Sequence, residues 1–452
     1  MSKRNFILLI IILILAVTVV FGFLYFRPQT TPSGDSDQGI NFISRFNPFS
    51  NNKTIIPKTE SPVVDISGTL PPPAEEIPIV KLKRISGMPV AGFGLFMKER
   101  LKDINPTPTL PLSGEGDNLV PPAKGGSGGL KPTPPPTEFI TAVRYVERAT
   151  GNIYQTFLDK IEERKFSTTV IPKVHEAYFG NKGKSVIMRY LKIDDRTIET
   201  FVGTLPKELL GGDTTLNNEI KGSFLPDNIT DASVSPDATK IFYLFNVGDN
   251  MVGTIFNLLD NKKIQIFDSL FTEWLSFWPN GSLITLTTKP SWNTKGYMYG
   301  LNPSAKSFNR ILGDINGLTT LTSPNGKLVL YGNNNLSLSV YNISAKNSDL
   351  LGVRTLPEKC VWGKLSDIVY CAVPKSINET EYPDAWYQGE VSFSDQIWRI
   401  DIKNGNTTMI SDPVTILGGE DIDGIKLTLD ESEKYLLFVN KKDSFLWELE
   451  LN

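Results

Sequence analysis

Residues 232–245 read ASVSPDATKIFYLF, and two later stretches repeat the pattern: LSFWPNGSLITL (275–286) and LTSPNGKLVLY (321–331). Each has a short apolar run, a corner built on Pro-Asp or Pro-Asn-Gly, and a second apolar run. Pro fixes φ, Asp or Asn tolerates the turn, and Gly supplies a positive φ, so two antiparallel strands meet tightly. Pro236, Pro279 and Pro324 are 43 and 45 residues apart. That spacing suits a four-stranded propeller blade. A weaker copy, KLTLDESEKYLLF, occupies 426–438.

Outward from these corners, short apolar runs separated by turn residues continue from about residue 77 to the end. No stretch there holds a helical apolar period over three turns, which predicts an all-β architecture. One helical turn is expected at Pro206–Leu210, where Pro can begin it. The repeated corner resembles the WD40-like propeller repeats of bacterial envelope proteins, the type found in the TolB propeller, where Ser-Pro-Asp-Gly precedes the second strand. The likeness covers roughly residues 230–440. It departs at Ala238, where the family has Gly, and neither Gly151-Asn152 nor Asn181-Lys-Gly183 carries the proline. The resemblance implies a propeller fold and a habit of binding proteins, with no particular substrate.

Strand by strand, residues 77–452 divide into seven blades, with six or eight as the alternatives. Blade one takes Val90–Met97, Ile140–Glu147, Ile153–Lys160 and Phe166–Val170, interrupted over 102–137 by a Gly- and Pro-rich insertion read as disordered. Blade seven has only three strands of its own, within Ile425–Leu451. Ile79–Ser86, ahead of blade one, is the strand available to complete it and close the ring.

Ahead of the blades, a stub (1–5) leads into Phe6–Phe26, 21 residues without a charge. At 1.5 Å per residue a helix of that length spans about 30 Å, the hydrocarbon thickness of a bilayer. Lys3 and Arg4 precede it, so the positive-inside bias predicts a single-pass transmembrane helix with a cytoplasmic N-terminus and an extracytoplasmic propeller. A cleaved signal peptide is the rival, although the apolar stretch is long and no small-residue cleavage site ends it. Residues 27–76, rich in Pro, Ser, Thr, Asn and Gly, read as a disordered tether. Phe42, Phe46 and Phe49 form one apolar patch within it.

Composition narrows the function. With 46 basic and 49 acidic residues the chain lacks the charge excess of a nucleic-acid binder. It has one histidine, His175, and two cysteines, Cys360 and Cys371. That inventory cannot furnish an ordinary zinc site, and a Ser-His-Asp or Cys-His mechanism would have to run through His175 alone. No catalytic residue, metal or cofactor is therefore expected, and His175 reads as a satisfied inner-strand residue. Cys360 and Cys371 flank a hairpin and fall opposite one another, either as a disulfide or as a buried thiol pair.

Two loops between second and third strands carry aromatics. One holds Trp292, and the other, from Pro374 to Asp395, holds Tyr382, Asp384, Trp386 and Tyr387. Trp and Tyr on loops of a rigid scaffold suit a binding surface. Alternatively the long loop folds back to plug the funnel. The expectation is a non-enzymatic envelope scaffold that binds a protein or a cell-wall polymer, with the membrane as its other contact. The alternative is a propeller hydrolase or lyase that works on an extracellular polymer through carboxylates such as Glu379, Glu381 and Asp384.

Overall fold

Apolar residues fall on both faces of the second strand in each blade, and this sets the architecture. A computed structural model describes residues 82–102, 136–208, 218–416 and 419–451. In β11 (Lys240–Val247), Phe242 and Leu244 join one buried cluster while Ile241 and Tyr243 join another. In β23 (Ile368–Pro374), Val369, Cys371 and Val373 face one neighbour and Tyr370 and Ala372 the other. Successive side chains of a strand point to opposite faces, so a strand sandwiched between two blades must be apolar throughout. This explains runs such as IFYLF.

Seven four-stranded antiparallel sheets result. Blade one is β2 (Val90–Leu101), β3 (Thr137–Glu147), β4 (Ile153–Phe157) and β5 (Arg164–Lys165), and blade two is β6 (Val174–Gly180), β7 (Ser185–Leu191), β8 (Ile198–Thr204) and β9 (Lys221–Phe224). Blade three comprises β10 (Asp231–Val234), β11, β12 (Asn250–Asn257) and β13 (Lys263–Ser269). Blade four comprises β14 (Trp274–Asn280) to β17 (Phe308–Asn316), and blade five β18 (Thr319–Thr322) to β21 (Asn347–Arg354). Blade six runs from β22 (Cys360–Trp362) through β23 and β24 (Asp395–Asp401) to β25 (Thr407–Ser411). Blade seven contains β26 (Gly424–Leu429), β27 (Tyr435–Asn440) and β28 (Leu446–Glu450), and β1 (Leu82–Arg84) adds its fourth strand by pairing with β28.

One apolar cluster lies at every blade junction, from Ala91–Val174 between blades one and two round to Val143–Leu446 between blades seven and one. Hydrogen bonds stitch the same junctions. Tyr178 donates to the Ala232 carbonyl (3.1 Å), Trp362 to the Leu321 carbonyl (3.2 Å) and Lys426 to the Ala91 carbonyl (2.9 Å). Between blades one and two the backbones approach so closely that a Cβ on Gly92 would lie 1.9 Å from the Ala177 oxygen.

The structure alters three sequence expectations. The fourth strand of blade one is Arg164–Lys165, because Phe166 turns inward and is buried against blade two. Pairing of β2 with β3 continues to Leu101 opposite Thr137, so the ends of the 102–137 segment are hairpin; its interior, 103–135, lies outside the described residues. Pro206–Glu208 form no helical turn, and Glu208 instead pairs with Lys98, Arg144 (3.0 Å) and Arg164 (2.7 Å). The span Phe6–Phe26 and the tether 27–76 lie outside the described residues. Among the described residues no helix is long and apolar enough to cross a membrane.

Candidate functional site

Charged and hydroxyl side chains near the starts of the inner strands converge on one mouth of the central channel. Loops joining second to third strands open onto the same face. The longest, residues 375–394 between β23 and β24, carries the only α-helix among the described residues, α1 (Asp384–Tyr387).

A buried ion cluster fixes this loop. Lys359, at the entrance to blade six, is fully buried and pairs with Asp395 (2.8 Å) and with Asp423, which opens blade seven. The remaining acceptors of Asp423 take the Trp386 indole N–H (2.9 Å), the Phe393 amide (3.1 Å) and the Ser392 hydroxyl (3.1 Å). Burial pushes the Asp395 carboxyl up to about 6 against the pull of Lys359. For Asp423 burial acts the same way, but Lys359 and the loop donors outweigh it and hold the carboxyl below its usual range.

The aromatics singled out in sequence divide. Tyr382 and Trp386 are each 3% exposed and pack with Leu336, Leu356 and Phe393 in a cluster beneath the loop, so neither presents its ring to a partner. Tyr387 and Trp292 are 39% and 38% exposed. Asp384 accepts the Trp292 backbone N–H and so ties the loop to blade four. Lys441 of blade seven donates to the Trp386 carbonyl and lies over its ring at 4.3 Å. The structure therefore brings Trp292, Asp384, Trp386 and Tyr387 into one assembly, a roof reaching from blade four to blade seven. Glu379 and Glu381 stand exposed on it. Cys360 and Cys371 are directly paired across β22 and β23, with sulfurs 2.12 Å apart.

Under the roof, Tyr387 donates to Glu358 (2.5 Å), and both line a cavity of about 60 Å³ with Ser276, Thr287 and Thr320. Glu358 keeps exposed surface while protein crowds its carboxyl. That desolvation pushes its carboxyl up to about 7, against the Tyr387 hydroxyl and the charges of Lys359 and Lys441. Asp231, which accepts the Ser276 amide and hydroxyl (both 2.6 Å), is raised by burial to about 6.

The other half of the mouth is open. Blades seven, one and two frame a basin of about 850 Å³ lined by Arg148, Lys173, His175, Lys441 and Lys442 among others. His175 is the second residue of β6 and faces this basin, exposed rather than packed among inner-strand partners. Partial desolvation by the channel wall first, then the Arg189 charge, keeps its imidazole more often neutral than usual, with Glu176 opposing. Glu176 pairs with Arg189 and is held below its usual range by Arg189 and Lys426, despite burial.

Sequence reasoning passed over Lys359, Asp395, Asp423, Glu358 and Lys426. Their one signal was a charged residue at or beside the start of an otherwise apolar strand. Among the described residues no group of three or more His, Cys, Asp or Glu is arranged to hold a metal ion.

No family model matches the chain, and no curated protein matches it. Two solved structures are similar in fold. One is an oligogalacturonate lyase in complex with manganese, at 9% identity and TM-score 0.47, with the match covering 69% of this chain and 85% of that one. The other is an oligogalacturonate lyase from Vibrio parahaemolyticus, at 7% identity and TM-score 0.46, covering 69% and 86%. The expectation that the chain is not an enzyme finds no support here: the two similar propellers are enzymes, and at TM-scores below 0.5 neither an activity nor its lack carries over to this chain. At these identities the likeness speaks to the fold alone.

Proposed function

We propose that this chain is a membrane-tethered, extracytoplasmic propeller of the TolB-like repeat type that binds its ligand at the half-open channel mouth. The observation that carries the reading is the asymmetry of that mouth. A roof locked by the Lys359 cluster covers the side of blades four to seven, and a basin of about 850 Å³ remains at blades seven, one and two. Sites of this kind are concave, preformed and supplied with a few convergent polar groups. The uncharged span Phe6–Phe26 and the preceding Lys3 and Arg4 support the tether and its direction. The turns at 235–238 and 323–326 support the repeat type.

A second reading adds turnover of the bound ligand through carboxylates. It is favoured by Glu358, a carboxyl that desolvation raises to about 7 and that accepts a hydrogen bond from Tyr387. A group with that pKa suits general acid–base work.

One experiment addresses both. A photocrosslinking residue is placed at Ala149 on the basin rim or at Asn404 in the turn between β24 and β25, in the full chain in its native membrane. The Ala149 derivative captures a species that the Asn404 derivative does not. Equal capture, or none, overturns the mouth as the ligand site. If the captured species is altered by the native chain and unaltered by Glu358→Gln, the second reading stands; identical species from both remove it.

A further inference from the structure

Around the basin some cations have an ion-pair partner and others have none. Lys173 pairs with Asp195, Lys442 with Asp421 and Arg189 with Glu176. The other basin carboxylates keep their charge and are oriented by neutral donors: Glu147 accepts the Thr150 hydroxyl, and Asp443 accepts the Asn440 amide (3.1 Å) and the Phe445 N–H (2.8 Å). Lys426, Arg148 and Lys441 make no ion pair among the described residues. Lys441 is occupied by the Trp386 carbonyl and ring. Lys426 spends one N–H on the Ala91 carbonyl and Arg148 one on the Ser444 hydroxyl, each at 2.9 Å. An ammonium has three donors and a guanidinium five, so both keep donors to spare.

Lys426 keeps exposed surface while protein crowds its side chain. Desolvation lowers its pKa, Glu176 pulls it back, and the charges of Arg148 and Arg189 press it down further. Glu176, the carboxylate whose field reaches Lys426, is already ion-paired with Arg189, so Lys426 has no ion pair of its own and an incoming anion would supply one. We infer that the open half of the mouth binds an oxyanion, a carboxylate or phosphate group of the ligand, with Lys426 and Arg148 as its counter-charges. The apolar rim of Pro89, Val174, Leu191 and Ile198 gives the uncharged part of such a ligand a place to lie. This inference rests on the mouth being the ligand site.

The chain supplies its own reporter, because His175 is its single histidine and stands within the field of Arg189, Glu176, Lys426 and Arg148. The full chain, in detergent micelles and labelled with 13C at histidine Cε1, is titrated with glucuronate, glucose 6-phosphate or glucose at millimolar concentration. Either anion moves the His175 signal saturably and shifts its titration midpoint upward, since a negative charge beside the imidazole favours imidazolium; glucose does neither. Response to glucuronate alone assigns a carboxylate, and response to glucose 6-phosphate alone a phosphate.

Lys426→Gln and Arg148→Gln each weaken binding by about tenfold or more, the scale of a lost charge-assisted hydrogen bond. Lys426→Arg retains it. A thermal melt matching the native chain shows that each variant is folded. No response to either anion, an equal response to glucose, or folded Gln variants that bind as well as the native chain overturns the inference. Capture at Ala149 together with indifference to both anions removes the charge assignment and leaves the mouth; equal capture at Ala149 and Asn404 removes the mouth itself.

Discussion

Neither carboxylate oxygen of Glu448 has a hydrogen-bond partner, although the residue is fully buried on β28. Alternation along the strand puts its side chain on the face of Leu446, which packs towards blade one. Burial raises its carboxyl to about 7, with Lys83 opposing and Glu450 and Asp159 reinforcing. The folded chain thus keeps a proton that the unfolded chain surrenders near 4.5. This contribution to stability is complete below the unfolded pKa and is lost as pH rises through the folded one. Glu448→Gln removes that dependence. Urea unfolding of the native chain and the variant at pH 5 and pH 8 compares the two. The advantage of the variant grows by about 2.5 kcal/mol between them, from 1.36 kcal/mol per unit of displacement. An unchanged difference would mean that Glu448 is ionised in the folded chain. Asp231, Glu358 and Asp395 are displaced in the same direction, but they are common to both proteins and cancel in the comparison.

At the scale of the element, the turn between first and second strands repeats one device across blades. The N–H groups of Ala238, Gly326, Ser366 and Glu433 donate to the carbonyls three residues earlier (2.7–3.1 Å), and all four residues have φ between 53° and 69°. In blades three and five a serine closes the corner: Ser235 Oγ accepts the Lys240 amide (2.9 Å) and Ser323 Oγ the Leu328 amide (3.0 Å). Only glycine takes that φ without a Cβ penalty. Ala238→Gly therefore stabilises by about 0.5–1 kcal/mol, while Gly326→Ala destabilises by about 1–2 kcal/mol. The second cost is deepened by a Cβ that would meet the Asn280 Nδ2 at 2.5 Å. Shifts of the same sign in thermal melts would deny the shared geometry. These turns and the apolar second strands were legible because their signals are local. Among the outer strands, β1 falls within the expected Ile79–Ser86 and β9 at the short piece expected near Ser223, while β5 was misplaced because it spans two residues and leaves no burial pattern to read. The mouth was hidden for another reason: Lys359, Asp395 and Asp423 look like surface charges until the ring brings blades six and seven together. The sequence placed the aromatic loop on the right face but left open whether it binds or plugs, and Trp386 is turned inward.

For the whole molecule, the seven junctions form a closed cycle, and one of them is made by chain segments from opposite ends of the propeller. Residues 82–84 pair with 447–449, the Ile85 amide donates to the Leu446 carbonyl (2.8 Å), and Ser86 accepts the Leu446 amide (2.9 Å). Arg84 lies over the Phe445 ring at 4.8 Å. Every blade keeps an outer edge strand, and these few residues give blade seven the fourth strand that the other six blades have and cover the edge of β28. A chain beginning at Gly87 keeps every residue of blades one to six but exposes the backbone donors and acceptors of β28 and the part of the interface with blade one held by Ile85. Its loss should exceed what a three-residue strand suggests, because the junction of blades seven and one then opens while the other six still hold. The expected outcomes are a clear drop in melting temperature and concentration-dependent self-association through the bare edge, read by light scattering on a size-exclusion column. Adding back a peptide of residues 77–88 reverses both. A truncated chain that stays monomeric and melts like the native one would mean that blade seven is stable with three strands, and that the N-terminal strand decorates the ring without closing it.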